Sequence, residues 1–360
     1  MPVSQTDRNI PRLSIIIPVY NLAHLVSFGL DSLLNQTILH KDPTCLECIA
    51  VDDCSTDNSL EILRRYEKAH PQLFRVVHSP RNLKSGGTRN LGLAIARGEW
   101  IGFMDGDDWL APDFCEKMLA KADATGADMV GCWAAVSDNH SFDVIQVLQM
   151  NSPEYTGKMG EQQYKHLILS PCAVWSKIYK AKNIFSNVHN EHKTNIFVEK
   201  MYYEDVPTII TLSCKSHHYE LISEPLYYYY ENQQSYTRTE LTAQKAHHRM
   251  TAGRILLEKA REYGLYQTCR DEIDLRLIDV GYMPTLIGIL ANPNLEQKNS
   301  LLKQLKLYIR QNLPEFRKNP YYTTRFSREQ RIYARLHLLS IPLLLVCYKP
   351  IQLACRLRRL

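Results

Sequence analysis

No stretch of this chain is apolar for long enough to cross a bilayer. The most apolar run, residues 336–348, has 13 residues and is broken by Pro342, whereas a spanning helix needs about 20. The polar first eleven residues hold nothing like a signal peptide and are expected to be flexible. Ten cysteines occur without the spacing of a disulfide framework. The single Cys-x-x-Cys, Cys45 and Cys48, lacks the second pair a zinc site would need and runs into Ile49-Ala50-Val51, so it is expected to flank a strand. These absences point to a reducing, cytoplasmic setting. There are no repeats and no low-complexity segments, and the apolar and charged fractions of 45% and 22% are those of an ordinary globular protein. Acids are almost missing from the last sixty residues: thirteen Lys and Arg stand against Glu315 and Glu329, a net of +11, which leaves −6 for the first 300. That polarity suggests an anionic partner for the tail.

What is present begins with an alternation of short strands and helices. Residues 13–17, Leu-Ser-Ile-Ile-Ile, read as a buried parallel strand ended by Pro18. A helix is expected over 22–36, a strand over 46–51, a helix over 57–69, a strand over 74–77, a helix from Lys84 to Ala96 and a strand over 99–104. This order argues an α/β fold with a doubly wound, mostly parallel, Rossmann-like sheet. Further on, a helix is expected over 113–125, a strand over 128–133, irregular chain over 137–160, a helix near 160–169, a helical run over 206–214 and a strand over 226–230. From Leu241 helical patterns dominate.

In a doubly wound sheet ligands bind beyond the carboxyl ends of the strands. The polar clusters fall there: Pro18-Val19-Tyr20-Asn21, Asp52-Asp53-Cys54-Ser55-Thr56-Asp57 and Asp105-Gly106-Asp107-Asp108. In an extended chain Asp105 and Asp107 project to one side, and Gly106 permits a close approach to the backbone. Two such carboxylates form a hard-oxygen site of the kind Mg²⁺ or Mn²⁺ takes with substrate phosphates. An acidic turn capping the next helix is the alternative.

Five segments, in order, resemble glycosyltransferase family 2: Ser14-Ile-Ile-Ile-Pro-Val-Tyr-Asn21, Val51-Asp-Asp-Cys-Ser-Thr-Asp57, Gly87-Thr-Arg-Asn-Leu-Gly92, Phe103-Met-Asp-Gly-Asp-Asp108 and Tyr203-Glu-Asp205. The resemblance covers about 12–240 and is closest to bacterial enzymes of capsule, exopolysaccharide or lipopolysaccharide synthesis. It implies a GT-A fold and an inverting transfer from a nucleotide-sugar, such as a UDP-sugar, to a glycan or lipid-linked hydroxyl. Two departures stand out: Cys54 replaces a more usual Gly, and 230–238, with Ser235 and Arg238, is only similar to the family's Arg-containing stretch.

On this resemblance the donor nucleotide is met by Pro18, Tyr20, Asn21, Asp52, Asp53, Lys84, Arg89 and Asp105. Asp53 or Asp52 would accept the uracil imide N–H, or merely cap the second helix. Lys84 and Arg89 at a helix N-terminus suit a diphosphate, or form a solvated basic turn. Asp107, with Asp105, would hold Mn²⁺ or Mg²⁺, and Asp108 would support the site or cap the next turn. Asp205 is the candidate general base and Glu204 the runner-up; capping the helix that follows is compatible with that role. Trp109, Trp175, Tyr202 and Tyr203 would stack on sugars or pack in the core. His217-His218 and His247-His248 lack metal-ligand spacing.

The expected domains are a GT-A catalytic domain over 12–240, with a nucleotide-sugar half (12–110) and an acceptor half (111–240), then a helical extension over 241–320. A basic amphipathic tail over 321–360 would lie on anionic lipid at the inner face of the cell membrane, or dock on the protein itself. The competing readings are a non-catalytic carbohydrate-binding scaffold and a nucleotidyltransferase. The latter usually places a Gly-rich phosphate loop after strand one, where Pro18-Val19-Tyr20-Asn21 stands. Nucleic acid is not an expected partner, since aromatics do not interleave with the tail's arginines.

Overall fold

The computed structural model describes residues 10–184, 196–231 and 239–357, in two compact units, Met1–Gln233 and Gln234–Leu360. The first opens with β1 (Leu13–Val19), α1 (Val26–Leu34), β2 (Leu46–Asp52), α2 (Ser59–Ala69), β3 (Phe74–His78), α3 (Lys84–Leu93) and β4 (Trp100–Phe103). These strands pair in parallel in the order β3-β2-β1-β4, so the order reverses between β1 and β4, where a crevice forms beyond the strand ends. Side-chain period two divides β1 between two cores. Ile15 and Ile17 pack with Leu30, Trp109 and Phe114, while Ile16 packs with Val51, Leu93 and Phe103 on the other face.

The chain continues through β5 (Trp109–Leu110), α4 (Phe114–Thr125), β6 (Met129–Ser137), β7 (Gln146–Leu148), β8 (Gly157–Lys158), α5 (Glu161–Leu169), β9 (Lys177–Lys180), α6 (Ala181–Ile184), α7 (Asp205–Cys214) and β10 (His218–Tyr230). The sheet extends as β4-β9-β6-β10-β5. β9 is antiparallel to both its neighbours, and β10 is parallel to β6. Three expectations are corrected. The strand expected over 128–133 runs on to Ser137, and the one expected over 226–230 is the end of a 13-residue β10. The pairing of β10 shifts register on either side of Pro225, which hides the earlier half from a simple pattern. Residues 137–160 are not wholly irregular, since β7 and β8 add edges to β6 and β10. Cys45 and Cys48 lie buried at and within β2, as expected.

The second unit is helical: α8 (Ala243–Glu262), α9 (Leu265–Thr268), α10 (Arg270–Arg276), a π-helical stretch Leu277–Tyr282, α11 (Met283–Ala291), α12 (Lys298–Asn312), α13 (Tyr322–Arg325), α14 (Arg328–Leu339) and α15 (Ile341–Leu357). The residues of the basic tail expected over 321–360 fall within this unit. Tyr333, Ala334, His337 and Leu344 are buried. The Tyr282 hydroxyl donates to His337 Nδ1 at 3.0 Å, and His337 Nε2–H donates to the Leu302 carbonyl at 2.9 Å. The apolar run over 336–348 is divided at Ser340, and Pro342 sits in the first turn of α15, where its missing N–H costs no helix bond. Among the described residues no helix is long and apolar enough to cross a membrane.

Candidate active site

The loops after β1 and β2 are sewn together by short polar side chains. Asn21 N–H donates to Ser55 Oγ at 3.0 Å and its Oδ1 accepts from Thr56 N–H at 2.8 Å. Asp57 accepts from Ala23 N–H (3.0 Å) and Ser59 N–H (2.9 Å). Partial burial works against its ionisation, but these bonds hold its carboxyl below the usual range. Asn21 is therefore a loop fastener, while Tyr20 beside it stays 45% exposed.

The adjacent acids differ sharply. Asp53 commits both oxygens to the start of α3, accepting from Leu83 N–H at 2.6 Å and Lys84 N–H at 2.9 Å. It caps the third helix, not the second, and burial raises its pKa against the pull of those donors. Asp52 is fully buried. Its Oδ2 meets His78 Nδ1 at 2.9 Å and Ser55 N–H at 3.2 Å, and its Oδ1 has no partner. Asp52 Oδ1 is thus buried without a partner, whereas both oxygens of Asp53 are taken.

Arg89 on α3 is 4% exposed, not part of an open basic turn. Its Nη1 donates to Glu204 Oε1 at 2.6 Å and its Nη2 to Asp105 Oδ1 at 2.7 Å. Burial opposes its charge, and the two carboxylates more than offset that. Each terminal nitrogen thus donates to a carboxylate, and Arg89 ties the end of β4 to the start of α7. Lys84 stays on the rim, its Nζ 4.9 Å from the Tyr202 ring centroid and 6.0 Å from that of Tyr20.

The acidic stretch after β4 is held by a tyrosine. Tyr227 of β10 donates its hydroxyl to Asp108 Oδ2 at 2.6 Å and accepts from Asp105 N–H at 3.0 Å. Asp108 Oδ1 accepts from Tyr230 N–H at 2.9 Å. Asp108 is thus a buried anchor, and burial together with the charges of Asp107 and Asp105 pushes its pKa well up. The close approach that Gly106 allows is to the Pro18 carbonyl and Leu22, each 2.8 Å from where a Cβ would stand. Pro18 therefore shapes the site through its backbone. Asp105 keeps 31% of its side chain exposed, and Asp107 is half-buried.

A segment over 196–204 lies across α3. Asn90 clasps the Phe197 backbone in both directions (2.9 and 3.1 Å), and Lys200 N–H donates to the Leu83 carbonyl at 2.8 Å. A Cβ on Gly86 would strike the Val198 carbonyl, and one on Gly87 would stand 2.5 Å from Leu83 Cβ. The segment delivers Glu204 and Asp205 to the start of α7 through Tyr203, whose φ of 65° is costly for a bulky residue. Glu204 is buried and raised in pKa despite Arg89. Asp205 is pushed up to about 7 by burial and by the charge of Glu204, and its Oδ1 accepts from Val206 N–H at 3.0 Å. A carboxylate poised near neutrality at a buried acid cluster has the property a general base requires.

The family model "Glycosyl transferase family 2" matches residues 14–185, which carry the three strand-end clusters and the tie residue Arg89. Residues 14–185 form a glycosyltransferase family 2 segment. The chain is similar to EpsJ of Bacillus subtilis (strain 168), an uncharacterized glycosyltransferase, at 28% identity over 79% of this chain and 80% of EpsJ. It is 32% identical to the succinoglycan biosynthesis protein ExoO of Rhizobium meliloti (strain 1021) over 33% of this chain and 32% of ExoO. In fold it resembles S. aureus TarS 1–349, solved in complex with UDP-GlcNAc, with a TM-score of 0.67 at 18% identity, over 96% of this chain and 91% of that one. The fold is GT-A with a helical C-terminal region.

The sequence motifs of this glycosyltransferase gather on one rim of the sheet, but they do not reveal its fastenings. Tyr227 belongs to no motif, and Asn90 and Asp57 lie in motifs that give them no role, yet the three hold Asp105, the 196–204 segment and the β1 loop. Trp109 is core, fully buried and stacked 5.8 Å from Tyr228. Trp175 is half-buried, stacked on Tyr227 (4.7 Å) and Tyr229 (6.0 Å). Both backbone N–H groups of His217 and His218 donate to Asp128, and His247 meets Gln304. Ser235 and Arg238 lie outside the described residues. Among the described residues no three His, Cys, Asp or Glu side chains form a ready metal cage.

Proposed function

We propose that the enzyme moves a sugar from a UDP-sugar to a hydroxyl of a glycan or lipid-linked glycan in bacterial surface polysaccharide synthesis, with inversion at the anomeric carbon. The observation that carries this reading is Arg89. It ties the donor-side acid Asp105 to Glu204, and so fixes Asp205, a carboxyl near neutrality, beside the donor rim. The names of ExoO and of the UDP-GlcNAc complex of TarS support the glycan and the UDP donor.

In this proposal the orphaned Asp52 Oδ1 accepts the imide N–H of the base, and Pro18, Tyr20, Asn21 and Asp53 shape the pocket around it. Lys84 faces the diphosphate with its side chain from the rim at the start of α3, where Asp53 already takes the Leu83 and Lys84 N–H groups. The carboxylates fit a divalent ion chemically. They are hard oxygen donors, and a cation would relieve the repulsion among them, which adds to the burial that raises Asp108. Asp107 and Asp105 would hold Mn²⁺ or Mg²⁺, with the substrate phosphates completing its shell. When bound, the ion supplies Lewis-acid stabilisation of the leaving diphosphate. Asp205 accepts the proton of the acceptor hydroxyl as it attacks the anomeric carbon, with Glu204 the alternative. Trp175 and Tyr229 offer an aromatic surface to the acceptor sugar.

The domain halves, 12–110 for the donor and 111–240 for the acceptor, follow from these roles. We also propose that the enzyme is cytoplasmic and peripheral on the inner membrane face through the outer surface of α14 and α15. Leu339, Leu343, Val346 and Leu353 are exposed there among Arg331, Arg335 and Lys349. The test of function is a panel of nucleotide-sugars scored by thermal shift and by Mn²⁺-dependent nucleotide release. A response confined to UDP-sugars is expected. Binding of carbohydrate without any nucleotide release would instead support a scaffold.

A further inference from the structure

The helical unit contains a cavity of about 490 Å³ bordered by Arg310, Arg317 and Arg335 over an apolar floor that includes Leu313, Phe316 and Leu338. The three arginines come from three elements. Arg310 lies on α12, Arg317 on the 3₁₀ turn Phe316–Lys318, and Arg335 on α14 one turn before Leu338 and Leu339. Among the described residues none of the three has a carboxylate partner. Arg310 donates to the Leu338 carbonyl at 3.2 Å, and the nearest acid in sequence, Glu315, is paired with Lys318. Three like charges brought to one concave surface repel one another unless an anion joins them. Guanidinium groups rather than ammonium groups favour an oxyanion that accepts in pairs, such as a phosphate. The floor and the 70%-exposed Leu339 on its wall ask for apolar atoms attached to that anion.

We infer that this cavity, bordered by Arg310, Arg317 and Arg335, binds a phosphate or diphosphate group carried on an apolar chain. This goes beyond the proposed membrane contact, which needs only a diffuse basic face; the two share Arg335 and Leu339, and the arms of the test separate them.

The test uses the full chain and water-soluble dioctanoyl phosphatidic acid below its micelle concentration, measured by calorimetry. Inorganic pyrophosphate is the apolar-free arm, and phosphatidylcholine vesicles with phosphatidic acid are the membrane arm. The R310Q/R317Q/R335Q variant is compared with K303Q/K318Q/R328Q, which removes as much charge outside the cavity. The inference predicts that the short-chain lipid binds at least tenfold more tightly than pyrophosphate, that the cavity variant loses binding about 30-fold or more, as expected for lost charge-assisted bonds, and that the control stays within about threefold. Equal losses in the two variants would overturn it, as would equal affinity for pyrophosphate. Binding of the short-chain lipid without vesicle binding leaves the cavity standing and removes the membrane contact. Vesicle binding without short-chain lipid binding does the reverse.

Discussion

At the scale of single residues, Asp205 makes a prediction about pH. The base must be ionised, so with a pKa of about 7 kcat/KM is expected to fall roughly tenfold per pH unit below 7 and to level off above it. A profile flat down to pH 5 would remove Asp205 from the role. Its raised pKa also affects stability. The folded state holds the proton more tightly than the unfolded chain, so this stabilising contribution is complete below about pH 4 and is lost as pH rises through 7. Cys54 makes a second prediction. Its φ of 62° is a left-handed conformation that glycine adopts without penalty. Cys54→Gly should therefore be neutral or stabilising by about 0.5–1 kcal/mol in urea unfolding, and a loss of 1 kcal/mol would mean the thiol packs usefully. The carboxylates were legible because their types and spacing mark the chemistry. Their connections were not. The tie of Arg89 to Glu204 is invisible in sequence because 115 positions separate the two.

At the scale of elements, the parallel β1–β4 core was legible because each strand is a short buried apolar run followed by an amphipathic helix. β9 was not, because four residues between two antiparallel neighbours leave no periodic trace. The dependence of the site on α3 is testable. In Gly86→Ala the new Cβ collides with the Val198 carbonyl, so the 196–204 segment must move and carry Glu204 and Asp205 with it. Transfer is expected to fall 10²-fold or more, as misplacement by about 1 Å does, while thermal stability drops only modestly. Full activity would show that the segment's position is not critical. Tyr227→Phe keeps the stacking on Trp175 but leaves buried Asp108 without its hydroxyl donor. A destabilisation of about 1–3 kcal/mol is expected, read in chemical denaturation, and no change would mean that Tyr230 N–H alone satisfies the carboxyl.

At the scale of the whole molecule, one buried group of the helical unit makes a prediction about acid. His337 is buried as a neutral acceptor from Tyr282, and burial lowers its pKa to about 4. The unfolded chain binds the proton more readily, so the helical unit keeps this stability above about pH 6.5 and loses it as pH falls toward 4, on the order of 3 kcal/mol at most. Hydrogen exchange of α12 and α14 amides should accelerate over that window and do so much less in His337→Gln. The central claim concerns the first unit: donor binding and proton removal belong to different carboxylates fixed by one arginine. Its most direct test is calorimetric UDP-sugar affinity in Mn²⁺ alongside the single-turnover transfer rate, for wild type and Asp205→Asn. The account predicts that Asp205→Asn binds donor within about threefold of wild type and transfers at least 10²-fold more slowly. Transfer at the wild-type rate, or donor affinity lost in parallel with transfer, would contradict it.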